Sequence, residues 1–297
     1  MTASAKPPGP RGALYLVATP IGNLEDVTLR ALRVLRAADL VLAEDTRRTR
    51  ILLDRHGIAT RPLSLHAHNE SARTAAVLAA LAEGRDVALV SDAGTPLVSD
   101  PGERLVAAAI AAGHPVVPVP GPSAVLAALA GSGLPPVPFA FLGFPPRRAG
   151  ERAQVFAAWR GRPETLVLFE SPQRLAATLR ALAEALGPRP ACVARELTKL
   201  HEEWVRGPLP ELAERFAAGG VRGEVTIVVG GASGGEQDAA ERAEPAPARL
   251  GDADVAARVA ALREAGLRPR EIAAVLSREL GCSPREAYAL THRQRGA

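Results

Sequence analysis

Where the apolar run Val87–Val90 ends, the chain reads Ser91-Asp92-Ala93-Gly94-Thr95-Pro96, and shortly afterwards Ser99-Asp100-Pro101-Gly102 opens a helix-like segment. In open α/β sheets the carboxyl ends of parallel strands face the crevice where ligands bind. Two Ser-Asp turns at such a strand end therefore point to a ligand. Pro20 in ATPIGNLEDVT and the run PGPSA at 120–124 form turns of the same kind on the same predicted sheet edge. Together these turns offer backbone amides, carbonyls and hydroxyls to a small, largely uncharged ligand. None has the GxGxxG spacing of a dinucleotide-binding turn, and GxxxxGK followed by Ser or Thr occurs nowhere, so hydride transfer and nucleoside-triphosphate chemistry lose their main support.

Other groups carry chemistry of a different kind. AEDTRRT places Glu44, Asp45, Arg47 and Arg48 at the end of the second predicted strand, where carboxylates and guanidinium groups can meet a polyanion. Lysine occurs only at positions 6 and 199, so Lys199 stands out in an arginine-rich chain. Unlike arginine, it can lose its proton when buried and act as a base. His66 and His68 would share a strand face, but no third ligand lies near them, and Asn69 reads more simply as a helix cap. No metal site is expected. Cys192 and Cys282 lack metal or disulfide spacing and read as small buried residues.

The elements that must hold these groups alternate in type. GALYLVAT (12–19), the helix-like 26–38, DLVLAED (39–45) and their successors through GPSAVLAALAGSG repeat strand and helix, which predicts a parallel sheet with helices on its faces. LPPVP at 134–138 reads as a hinge. Beyond it, strands follow one another without helices between them, as in a mixed sheet. The expected organisation is an α/β domain at 12–133, a second α/β domain at 139–231, a small, polar, Pro-bearing linker at 232–249 and a helical region at 250–297. That last region is predicted as helices at 252–265, 269–280 and 283–293, with cations including Arg263, Arg268, Arg270, Arg278, Arg285, Arg293 and Arg295. A helix-turn-helix and a helical cap or dimerisation element fit its outline equally.

Composition sets outer bounds. The 297 residues suffice for about two ordinary domains. The opening MTASAKPPGPRG has no apolar core of a signal peptide, and prolines interrupt the most apolar region, 105–131, so a cytoplasmic protein without a membrane span is expected. The net charge of +4 allows a polyanionic partner without requiring one.

The motifs LVATPIGNLEDVTLRAL, AEDTRRT, LHAHNE, VSDAGTPLVSDPG, PVPGPSA and ARELTK, in that order, resemble the small-subunit ribosomal RNA methyltransferase I family of the tetrapyrrole methylase superfamily, over about residues 12–230. The resemblance implies a tetrapyrrole methylase-like fold that binds S-adenosylmethionine between two domains, and a homodimer. It also implies methylation of the ribose 2′-hydroxyl of a cytidine in the decoding region of small-subunit ribosomal RNA. Carried onto matching positions, Pro20, Ser91, Asp92, Thr95, Ser123 and Ala124 would form one wall of the cofactor site, and Phe169, Glu170 and Leu197 the other. Lys199, Glu196, Asp45 and Asp92 are candidates for a base that receives the hydroxyl proton, and spacing does not choose among them. A tetrapyrrole methyltransferase is the first alternative, and a ligand-sensing nucleic-acid-binding regulator the second.

Overall fold

The computed structural model describes residues 12–66, 69–232, 252–264, 266–280 and 284–291. Residues up to Ala232 form one compact unit and residues from Ser233 a second. His68, Cys282 and the expected linker at 232–249, apart from Ala232, lie outside the described residues.

The first unit begins with a sheet in the order β3-β2-β4-β1-β5, parallel throughout, formed by β1 (Leu14–Val17), β2 (Leu40–Ala43), β3 (Pro62–Ser64), β4 (Val87–Val90) and β5 (Val116–Val119). All four residues of β4 are buried, as an unbroken apolar run in the middle of a two-sided parallel sheet requires. Helices α1 (Leu29–Ala37), α2 (Thr46–Arg55), α3 (Glu70–Ala82) and α4 (Glu103–Ala111) connect the strands, and α5 (Ala124–Ser132) follows β5. The helix expected from 26 starts only at Leu29. The Asn23 side chain accepts from Glu25 N and holds a 3-10 turn at Leu24–Asp26, while extended Thr28 caps the helix by accepting from Ala31 N at 3.0 Å. Asp45 and Ser123 cap α2 and α5 in the same way.

A second sheet in the same unit has the order β6-β7-β10-β8-β9, formed by β6 (Phe139–Phe141), β7 (Thr165–Glu170), β8 (Pro190–Arg195), β9 (Glu203–Pro208) and β10 (Val225–Val229). Only β6 and β7 run parallel, so the sheet is mixed as expected. Helices α6 (Ala149–Ala157), α7 (Leu175–Leu186) and α8 (Leu209–Arg215) cover one of its faces.

Helix α5 covers the other face. Its Val125, Ala128 and Leu129 share a core with Val167, Cys192, Ala194 and Val228 of the second sheet. At the end of α5, Arg206 donates through Nε to Ser132 O at 3.0 Å, and the Trp204 ring lies so close to Gly131 that a Cβ there would fall 2.2 Å from it. The segment 134–138 is fastened as well, since Thr165 donates through Oγ1 to Pro135 O at 2.6 Å and through N to Pro138 O at 3.0 Å. The segment expected as a hinge is thus held at both ends to β7, and α5 before it is seated on the second sheet.

The second unit contains α9 (Asp252–Glu264), α10 (Pro269–Leu280) and α11 (Pro284–Leu290), packed around Val255, Val259, Ile272, Leu276 and Ala287. Among the described residues, no helix is long and apolar enough to cross a membrane.

Candidate functional site

The loops after β1 and β4 meet where the strand order reverses. Thr19 and Gly94 exchange backbone hydrogen bonds of 2.9 and 3.0 Å, and Thr19 Oγ1 donates to Ser91 O at 2.8 Å. From there a cavity of about 360 Å³ extends toward the second sheet. Two loops build its walls by the same device. Leu97 and Ser99, both at φ 72°, flank Val98, whereas Glu196 at φ 51° and Thr198 at φ 66° flank Leu197. Val98 and Leu197 line the cavity. A non-glycine residue in the left-handed region costs on the order of 1–3 kcal/mol, and such strain collects at binding sites.

Of the residues expected to hold a ligand, Asp92, Ala124, Phe169, Glu170 and Leu197 line this cavity. Pro20, Ser91, Thr95 and Ser123 do not, and they brace the turns that do. Pro20 is buried next to the lining residue Ile21. Ser91 Oγ donates to the Asp100 carboxylate in a short hydrogen bond and accepts from Ala93 N at 3.1 Å. Thr95 Oγ1 donates to Pro122 O at 3.3 Å, tying two strand-end turns together, and Ser123 Oγ accepts from Leu126 N.

The lining is more acidic than those turns alone implied. Asp92, Asp100 and Glu224 are among its lining residues and no Arg or Lys is, while Glu170, which also lines it, keeps its carboxylate buried against Thr178 and Arg174. Burial raises the Asp100 pKa, with Asp92 adding to the rise and the Ser91 hydrogen bond opposing it. Glu44 beside them is also raised, first by burial and then by Asp100 and Asp92. A proton on Asp100 is therefore favoured in the folded state, so its stabilising effect is complete below the ordinary value of 3.8 and is lost as pH rises through the raised folded value. Asp100→Asn, which can still accept from Ser91, should raise the melting temperature at about pH 8 and leave it nearly unchanged at about pH 4. Scanning calorimetry at the two pH values checks this, and an equal effect at both would contradict it.

Of the four candidate bases, Asp92 lines the cavity, whereas Lys199, Glu196 and Asp45 are committed to partners. Burial alone would lower the Lys199 pKa, but hydrogen bonds to Glu196 Oε1 at 2.8 Å and Glu224 Oε2 at 3.0 Å outweigh it and hold the ammonium above the ordinary lysine range. The same Lys199 bond holds Glu196 down as an anion against the effect of burial, and the Glu224 N–H donates to it as well. Asp45 is pushed well below the usual carboxylate range by its hydrogen bonds with Arg47. None of the three lines the cavity.

Residues not singled out from sequence complete the site. Asp100 lies in the second Ser-Asp turn, a signal that was present in the sequence. Phe144 and Glu224 lie in GFPPRR and at the entry to β10, and nothing in their spacing marks them.

Residues 13–213 match the family described as Tetrapyrrole (Corrin/Porphyrin) Methylases. A ribosomal RNA small subunit methyltransferase I from Mesorhizobium japonicum is 53% identical over 220 residues, covering 73% of this chain and 75% of that one. One from Thermotoga maritima is 46% identical over 220 residues, covering 74% of this chain and 99% of that one. Among solved structures, uroporphyrin-III-C-methyltransferase from Thermus thermophilus is similar with a TM-score of 0.54 and 29% identity, over 74% of this chain and 94% of that one.

Proposed function

Because the chain belongs to the tetrapyrrole methylase family and, within it, to the ribosomal RNA small subunit methyltransferases I, we propose that it methylates the ribose 2′-hydroxyl of a cytidine in the decoding region of small-subunit ribosomal RNA. Its coarse activity is methylation of ribosomal RNA with S-adenosylmethionine as the donor. The observation that supports the reading is the 53% identity over 220 residues to a ribosomal RNA small subunit methyltransferase I.

The cavity fits this donor by the chemistry of its lining. Asp100 is a largely buried carboxylate that has a hydroxyl partner but no cation beside it among the described residues, so a cationic ligand would relieve the cost of its charge. Apolar and aromatic walls at Ile21, Val98, Phe169 and Leu197 suit the uncharged remainder of the molecule, and about 360 Å³ lies within the usual range for small-molecule sites. S-adenosylmethionine, when bound, supplies a methyl group already activated by its sulfonium charge.

The protein's part is then to bind, to align and to take a proton. Asp92 and Asp100 would attract the cation, and the strained loops around Val98 and Leu197 would fix its position. Alignment of this kind supplies up to about 7–11 kcal/mol of a reaction barrier. The accepting hydroxyl must give up its proton. Asp100 faces the cavity with raised proton affinity and is better suited to receive it than Lys199, Glu196 or Asp45 with their filled partnerships.

The test is to mix purified protein and radiolabelled donor with small ribosomal subunits or with a porphyrinoid. Label is expected in the RNA, at a cytidine whose 3′-phosphodiester resists alkali because its 2′-oxygen is blocked. Label on a base, or on the porphyrinoid alone, would overturn the assignment.

Homodimerisation and RNA capture by the helical unit belong to the same reading. The Thermotoga maritima relative is covered to 99% by a 220-residue match, so it has no length left for a further unit like 233–297. Donor binding should therefore survive removal of 233–297. Capture of small subunits should weaken, since exposed Arg270 and its neighbouring cations suit phosphate contacts, and the difference should shrink as salt rises. Filter binding across salt concentrations checks the capture. Light scattering on both proteins reads the dimer, and dissociation of the truncated protein into monomers would instead assign the unit to assembly.

A further inference from the structure

We propose that Phe144 is the platform on which the base of the acceptor nucleotide stacks, and that Arg147 beside it takes a neighbouring phosphate. The inference rests on the RNA-methylation reading and extends it to the nucleotide's own site.

Phe144 lines the cavity yet remains 57% exposed, an uncommon position for a phenyl ring. Its exposure is built in, because the backbone around it is fastened on both sides. Phe169 N donates to Gly143 O at 3.0 Å, and Arg174 Nη2 donates to Pro145 O at 2.7 Å and to Pro146 O at 3.2 Å. Arg152, only 8% exposed, donates through Nη1 to Arg147 O at 3.3 Å. Two prolines further limit the segment. Phe169, itself packed edge-on against Phe141 at 4.9 Å, supports the Phe144 ring at 5.6 Å. The ring is thus held rigidly at the mouth with one side open.

The chemistry of the substrate matches this arrangement. A nucleotide inside folded RNA must leave its stack before its sugar can reach a cavity, and an aromatic side chain commonly replaces the lost stacking. Phosphates flank every nucleotide. Arg147 is exposed three residues beyond Phe144, and its side chain has no ion-pair partner among the described residues, whereas Arg148 is engaged with Glu151 at 3.0 Å.

The test compares the full-length protein with Phe144→Leu, Phe144→Trp and Arg147→Gln, after melting curves show each to be folded. Phe144→Leu should lower kcat/KM on small subunits by about tenfold or more, and by clearly more than it lowers donor affinity by calorimetry, with Phe144→Trp restoring it. Arg147→Gln should weaken capture at low salt and reduce the slope of log affinity against log salt by about one phosphate's share. Anisotropy of a fluorescent cytidine-containing oligoribonucleotide gives a reading independent of turnover, and Phe144→Leu should bind it several-fold more weakly. Wild-type kcat/KM or wild-type oligonucleotide affinity in Phe144→Leu would overturn the proposal. So would a loss of donor affinity as large as the loss of rate, which would assign the ring to the donor instead. A wild-type protein that methylates no small subunit would overturn the broader reading, and the oligonucleotide measurement would still decide this one.

Discussion

Replacing Glu170 with alanine should lower folding stability by about 3–5 kcal/mol, the usual cost of breaking a buried ion pair by removing one partner. The Glu170 side chain has no exposed surface, and its carboxylate accepts from Ser171 N at 2.7 Å and from Thr178 Oγ1 at 2.5 Å while pairing with Arg174 at 3.2 Å. Alanine would leave the fully buried Thr178 hydroxyl without an acceptor and the Arg174 charge without an anion. Arg174 also holds the carbonyls of Pro145 and Pro146, so the damage should spread to the loop carrying Phe144. Chemical denaturation checks this as a lower midpoint with an unchanged slope. A loss of less than about 1 kcal/mol would show that the site collapses around the gap more readily than these contacts imply.

Asp92→Ala should cost donor affinity rather than fold. Hydrogen bonds to charged groups contribute about 1.5–3 kcal/mol, so removing a carboxylate that faces the ligand should weaken binding by roughly 10- to 150-fold. Asp92 also accepts from Asp45 N at 2.8 Å, and that bond joins the turns after β2 and β4. Asp92→Asn separates these two roles, since the amide oxygen can still accept from Asp45 N but carries no charge. If charge decides, calorimetry will find both variants weakened alike. If Asn binds as the wild type does, Asp92 serves only to brace the turn.

Much of this architecture could be read from residue types. The continuous apolar run of β4 and the change in strand spacing after 138 pointed to the two sheets, because each signal is local in the chain, whereas the cap at Thr28 was not read and the first helix was expected three residues early. The site was harder to read for a physical reason. A hydroxyl at a strand end can face a ligand or turn back to hold its own loop, and at Ser91, Thr95 and Ser123 it turns back. Lys199 looked free to act as a base because Glu224, which helps to hold its proton, lies 25 residues away in the chain. Asp100 owes its raised proton affinity to burial and to Asp92, neither of which a turn motif records. Phe144 stands out only once Phe169 and Arg174 are seen holding the backbone on either side of it.

The seating of α5 on the second sheet has a kinetic consequence. With Arg206 and Trp204 locked onto its last turn and Val125, Ala128 and Leu129 sealed against the second sheet, α5 and the turn carrying Ile21 cannot part from that sheet without exposing their shared core to water. Exchange of donor and spent product is therefore expected through the open side of the cavity near Phe144, with that wall of the cavity held in place.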